Sequence, residues 1–275
     1  MKKMELPFFF LVLILLLEIT FSVESQNPAL LKYVLQWPPT FCIQLNHEEE
    51  GWCKVPIPQH QFTLHGLMPA DEEGFSIKYC SNTEPNWNAL FEPIRDKLVT
   101  FWPSLREDYD ETEFWKRQWR AHGSCARTTP EEYFHTAIHI NHLPEHGNLF
   151  NYLIKRGIFP SDNRAYRKED IVEAIQSVFD EFPSLIRQRS PPRPSSGSPS
   201  RNIYLSCVPT NHGINGYLLS EVTLCTNLEG TEYISCPLEA DPASCPDEIM
   251  LPLPNDQIRP YLPLMDKWKK PMGNI

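Results

Sequence analysis

Phe114-Trp115-Lys116-Arg117-Gln118-Trp119-Arg120-Ala121-His122-Gly123-Ser124-Cys125 gathers a histidine, two tryptophans, a run of cations and a cysteine into one short stretch. Phe114, Gln118 and His122 recur every four residues, as do Trp115 and Trp119, so on a helix they form two adjacent stripes. Asp110, three residues before Glu113, suits the start of that helix, and Gly123 suits its end. The spacing predicts a short helix with His122 on its last turn, held by aromatic packing and by a disulfide at Cys125. Taken alone, His122 reads either as a satisfied core residue or as a functional group.

A second histidine lies upstream, in Phe62-Thr63-Leu64-His65-Gly66-Leu67-Met68-Pro69. Phe62, Leu64 and Leu67 are apolar, Thr63 and His65 fall on the opposite face of a strand, and Gly66 and Pro69 punctuate it. A histidine at the end of a core strand, followed by a glycine that permits close approach, suits an active site. An idle histidine at a strand edge is the competing reading. Two imidazoles are what cleavage of RNA by internal attack needs: one takes the proton of the ribose 2′-hydroxyl, the other protonates the 5′-oxygen that leaves. Their unperturbed pKa lies near neutrality, so both protonation states are at hand, and nearby cations would stabilise the transition state.

The rest of the chain sets the context. Residues 1–25 carry Lys2 and Lys3, an apolar run from Leu6 to Leu17 and small residues before a cleavage point, the pattern of a secretory signal. The run is too short to span a bilayer. All eight cysteines follow it, and an even count in a secreted chain points to four disulfides. The net charge is −10; the leader holds two lysines against three glutamates, so the remainder stands at −9. Such a chain does not hold long nucleic acid by general electrostatics, and any polyanion must meet a small local basic site. No Asn-x-Ser/Thr sequon occurs.

Tyr33–Gln36 reads as a first strand ended by Trp37-Pro38-Pro39. Cys42 and Cys53 bracket a polar loop, Ile43–Trp52, which a local disulfide could close. Trp87–Trp102, Pro130–Leu143, Leu149–Ile158 and Lys168–Phe182 have helical rhythm, the second with a Thr129/Glu132 capping box. Residues 187–200, rich in Arg, Pro and Ser, read as an inserted exposed loop. Ile203–Leu205, Tyr217–Cys225 and Thr231–Cys236 read as strands, with a turn at Asn227–Gly230 and the late cysteines as staples. The tail after Pro252 reads as peripheral. This is one α+β domain over 26–252, a mainly antiparallel sheet packed against several helices, preceded by a signal over 1–25 and followed by a tail over 253–275.

Tyr33–Cys42, Phe62–Pro69 and Phe114–Cys125 together resemble the opening strand and the two active-site segments of the ribonuclease T2 family, which includes plant S- and S-like ribonucleases. Gly157-Ile158-Phe159-Pro160 and the late cysteine spacing extend the likeness over roughly residues 30–252. The resemblance implies a metal-independent endoribonuclease that yields 2′,3′-cyclic phosphates and then 3′-phosphate ends. It implies His65 and His122 as the catalytic pair with Gln118 beside them, and Arg117, Gln36, Trp37, Met68 and Trp115 as substrate contacts. It also implies the pairs Cys42–Cys53, Cys80–Cys125, Cys207–Cys245 and Cys225–Cys236. The expected partner is single-stranded RNA, met as a substrate by a monomer that uses neither DNA nor a membrane. No cofactor or metal is expected, and the expected location is extracellular or a vacuolar or endomembrane lumen.

The departures from the family pattern matter. Where the family has His-Glu-x-x-Lys-His, this chain has Arg117, Gln118 and Ala121 before His122. Gln118 lacks the carboxylate, and Ala121 removes a cation; one such contact is worth about 2–4 kcal/mol of barrier. Arg117 or Arg120 are candidates to compensate. Met68 stands for a base-stacking tryptophan, and Ala70 for a common aspartate. The alternative is therefore a catalytically impaired relative serving in storage, defence or recognition. His135, His139, His142 and His146 invite a zinc reading, but no carboxylate or cysteine completes a ligand set, and a polar helix face explains them better.

Overall fold

The computed structural model describes residues 27–47, 53–54, 56, 58, 60–82, 84–143, 149–181, 202–210, 216–237 and 245–253. The leader, the 187–200 insertion, most of the tail and His146 lie outside these residues. The described elements run β1 (Leu30–Gln36), α1 (Pro38–His47), β2 (Thr63–Ala70), α2 (Trp87–Phe91), α3 (Arg95–Phe101), α4 (Glu111–Ala121), α5 (Pro130–His142), α6 (Leu149–Lys155), β3 (Ala165–Arg167), α7 (Lys168–Glu181), β4 (Tyr204–Pro209), β5 (Tyr217–Thr226), β6 (Tyr233–Ile234) and β7 (Glu248–Met250). This is an α+β fold on one mainly antiparallel sheet, with β2 at one edge, β1 next to it, and β5 beyond, also pairing β4, β6 and β7.

Tyr33 and Leu35 of β1, Leu64 and Leu67 of β2, and Val222 and Leu224 of β5 share one core with the helices. Leu64 and Leu67 are three apart, which a plain strand of period two cannot put on one face. The register shows how they get there: Leu35 pairs with Leu64 and Val34 with Gly66, so β2 carries one extra residue, His65, at a bulge. A bulge re-aims side chains without breaking the strand. The carbonyl of His65 accepts from Trp102 Nε1 at 3.2 Å and that of Leu67 from the Tyr133 hydroxyl at 2.7 Å, so the backbone around the bulge is tied into the core.

Local sequence explains most helix ends. Asp110 caps α4 by accepting from Glu113 N at 2.8 Å. Thr129 and Glu132 form the capping box of α5, with Pro130 in its first turn. Two expectations need correction. Residues 87–102 are two helices rather than one, because Pro93 cannot donate to the preceding turn and clashes with it. The loop after Cys42 is helical as far as His47: the two prolines Pro38 and Pro39 are pre-set for a first turn, and Thr40 Oγ1 anchors it by donating to Leu219 O at 2.6 Å.

The eight cysteines form Cys42–Cys53, Cys80–Cys125, Cys207–Cys245 and Cys225–Cys236. The second bridge joins the loop after β2 to the turn after α4, where Tyr79 N also donates to Ala121 O at 3.0 Å. Tyr79 holds a left-handed φ of 60° at this crossing.

Candidate active site

His122 is the C-cap of α4, one residue beyond its last turn, and its N–H donates to Gln118 O at 2.9 Å. Trp115 and Trp119 on the neighbouring stripe are buried and hold the helix against Phe91 and Tyr133. A Cβ at Gly123 would stand 2.5 Å from the Trp119 ring and 2.9 Å from Tyr133, so glycine lets the chain turn tightly past the core. Gly66 plays the matching part on β2: a Cβ there would stand 2.6 Å from Gln118 Oε1. The histidine-glycine step of β2 and the Gln118–His122 stripe of α4 therefore meet.

The two histidines occupy opposite environments. His122 is 7% exposed, and its Nδ1 and the Gln118 Oε1 are buried with no hydrogen-bond partner among the described residues. Burial first, then the charges of Lys78, His65 and Lys32, push its pKa down to about 4. His65 is partly open to solvent, and its Nδ1 lies 2.5 Å from Glu221 Oε1. Unpaired buried polar atoms are rare in folded proteins, and these two belong to one helical stripe, four residues apart.

The expected substrate contacts separate into two groups. Gln118 and Met68 lie at the meeting point, Met68 half-buried with its Cε 3.1 Å from the Cβ position of Gly66. Trp37 and Trp115 do not line it: each has no exposed surface, one donating to Pro252 O at 3.1 Å and stacking on Phe150, the other donating to Trp102 O at 2.8 Å. A ring sealed in the core cannot stack on a base. Gln36 is buried too, its amide donating to Thr63 Oγ1 at 3.3 Å. Arg117 is exposed and its guanidinium sits 4.0 Å over the Tyr109 ring. Arg120 is held by Glu84 at 2.6 Å. Neither arginine takes the place of the missing cation at 121.

Three residues escaped the sequence reading. Glu221, Lys32 and Lys78 supply the charges around the pair. Glu221 stood out only as a carboxylate between Leu219 and Thr223 in an otherwise β-prone run. Lys78 precedes the Tyr79–Ala121 hydrogen bond, so it is anchored beside the position where the cation is lost. Lys32 donates to Gly74 O at 2.9 Å; burial and Lys78 lower its pKa, against Asp71. This is a small basic locus in an acidic chain. Among the described residues no three His, Cys, Asp or Glu side chains are grouped to hold a metal, and no helix is long and apolar enough to cross a membrane. His135 and His139 are exposed, and His142 Nδ1 donates to Ile138 O at 2.6 Å.

A sequence model of the Ribonuclease T2 family matches residues 29–189. The ribonuclease-like storage protein of Panax ginseng is 25% identical over 221 residues, 79% of each chain. Ribonuclease S-6 of Pyrus pyrifolia is 27% identical over 227 residues, covering 80% of this chain and 86% of that one. The backbone follows the crystal structure of RNase NT in complex with 5′-AMP with a TM-score of 0.65 at 23% identity, covering 83% of this chain and 100% of that one. This last likeness speaks for the fold.

Proposed function

The chain belongs to the ribonuclease T2 family, and from that premise we propose that it cleaves single-stranded RNA with His122 as general base and His65 as general acid. The observation that carries this is the opposed setting of two adjoining imidazoles. Burial keeps His122 unprotonated well below neutral pH, so it is ready to take a proton. The 2′-hydroxyl gives its proton to His122 as its oxygen attacks phosphorus. The phosphorus–O5′ bond breaks, and His65 gives a proton to the departing oxygen. The product is a 2′,3′-cyclic phosphate, which water opens to a 3′-phosphate with the two roles reversed.

Negative charge builds on the phosphoryl oxygens in the transition state, and Lys78 and Lys32 provide the positive field around His122. The side-chain amide of Gln118 can bind a phosphoryl oxygen through its NH2 group. No step calls for a metal ion. Four disulfides and the leader-like 1–25 segment support release into an oxidising space, extracellular or vacuolar.

A second reading has its own support. Gln118 and Ala121 remove two assisting groups, and one relative at 25% identity is called a ribonuclease-like storage protein. The test is to incubate the purified, disulfide-intact chain with yeast RNA and a chelator at mildly acidic pH. Cyclic phosphate ends that vanish in H65A and H122A are the expected result. Cleavage no greater than in those variants would leave storage as the better reading.

A further inference from the structure

We infer that Glu221 is the positioning residue of His65 and fixes which of its ring nitrogens exchanges a proton with substrate. The inference rests on the reading of His65 as the acid of the pair, and it begins with strand register. Glu221 on β5 pairs with Gln36 on β1, whereas His65 is the extra residue of β2 beside Val34. β1 thus lies between the two residues, and neighbouring strands are about 4.8 Å apart, so a direct contact must cross roughly two such spacings. It does: Nδ1 and Oε1 are 2.5 Å apart, above β1. The bulge makes this possible by putting His65 on the face of Gly66 and Met68, away from the core residues Leu64 and Leu67.

A carboxylate can only accept, so Nδ1–H donates to Glu221. That bond is available to the imidazolium and to one neutral tautomer only. It leaves Nε2 as the nitrogen that carries the proton before transfer and stands bare afterwards, when it can take a proton from water in the second step. The carboxylate also balances the positive charge that His65 carries as an acid. This is the division of labour of a histidine held by a carboxylate in other acid–base sites. Glu221 is well placed for it. Its backbone sits mid-strand, paired on both sides with Gln36 and Ser206, so the carboxylate has a rigid base.

Imidazole nitrogen NMR on the 15N-labelled, disulfide-intact chain at pH 8 tests the inference without substrate, with His65 assigned by its loss in H65A. The wild type should show His65 protonated at Nδ1, and E221A should move it toward the Nε2–H tautomer that free imidazole favours. On RNA, E221A should lose roughly tenfold to a hundredfold in kcat with KM little changed, the size usual for a residue acting through another. E221Q, which matches Glu221 in size, guards against a folding defect in E221A and should lose kcat too. An unchanged tautomer in both variants, or a loss confined to KM, would overturn the inference. Should the wild type fail to cut RNA while its tautomer still answers to Glu221, the RNA reading falls and the pairing stands.

Discussion

The bulged end of β2 and the C-terminal turn of α4 each present a histidine followed by glycine, yet they treat it in opposite ways. β2 leaves His65 partly open and ties it to a carboxylate. The end of α4 buries His122 within reach of the charges of Lys78 and Lys32. On the proposed roles, burial keeps His122 in the neutral form that accepts a proton, while the carboxylate of Glu221 faces the imidazole that gives one. A pair of imidazoles with matched surroundings would have no built-in direction for the proton. In the proposed mechanism the asymmetry sets that direction before substrate arrives.

The sharpest way to break this comparison is to remove each ring. H65A and H122A should each lower kcat on RNA by about a thousandfold, within the 10²–10⁴ range of one acid or base. They should then part company on a ribonucleoside 3′-(4-nitrophenyl phosphate), whose leaving group needs no proton. H65A should recover most of its rate there and H122A almost none; equal recovery would dissolve the distinction. Next comes acidity. With its pKa pushed from 6.5 to about 4, His122 is protonated first in the unfolded chain as pH falls. Stability is therefore full above about pH 6.5 and is lost through the window from 6.5 down to 4, by about 3 kcal/mol at its foot. H122N should lack that component, which urea midpoints at pH 7 and pH 4 would reveal. The acid limb of kcat/KM should likewise fall near pH 4.

Two smaller effects probe the supporting groups. K78A should cost about tenfold to a hundredfold in kcat/KM, and adding A121K to that variant should restore most of it. No restoration would mean that Lys78 acts elsewhere than at the lost cation. G66A would push Gln118 from the site, since its Cβ would meet Oε1 at 2.6 Å. About a tenfold loss of kcat with a nearly unchanged melting temperature is expected, the fold surviving because the amide is the end of a flexible side chain.

What the sequence made legible was local. Helix α4, its Asp110 cap and its stop at Gly123 follow from spacing and cap chemistry, and so does the Thr129/Glu132 box. The apolar residues at 64 and 67 even hint at the bulge. Three kinds of feature stayed hidden. Pro93 falls within a persuasive rhythm of Leu90, Ile94 and Leu98, although a proline beyond the first turn breaks a helix. Trp37 and Trp115 could have been base-stacking or core side chains, and only packing decides which. Glu221 is 156 residues from His65, and no pattern along one chain reports a contact made across an intervening strand. Lys78 was hidden for a similar reason: only the fold brings its segment beside Ala121 and His122.

The position of β5 has a consequence for how such a protein is made. It is central in the sheet, pairing β1, β4, β6 and β7, yet it lies between residues 217 and 226, late in the chain. Synthesis runs from the N-terminus at about 5–20 residues per second, so both histidines leave the ribosome several seconds before the strand that seats Glu221. Until then β1 has one open edge, and His65 lacks the carboxylate it pairs with. The strand that completes the His65–Glu221 pairing is thereby the last segment of the site to be made.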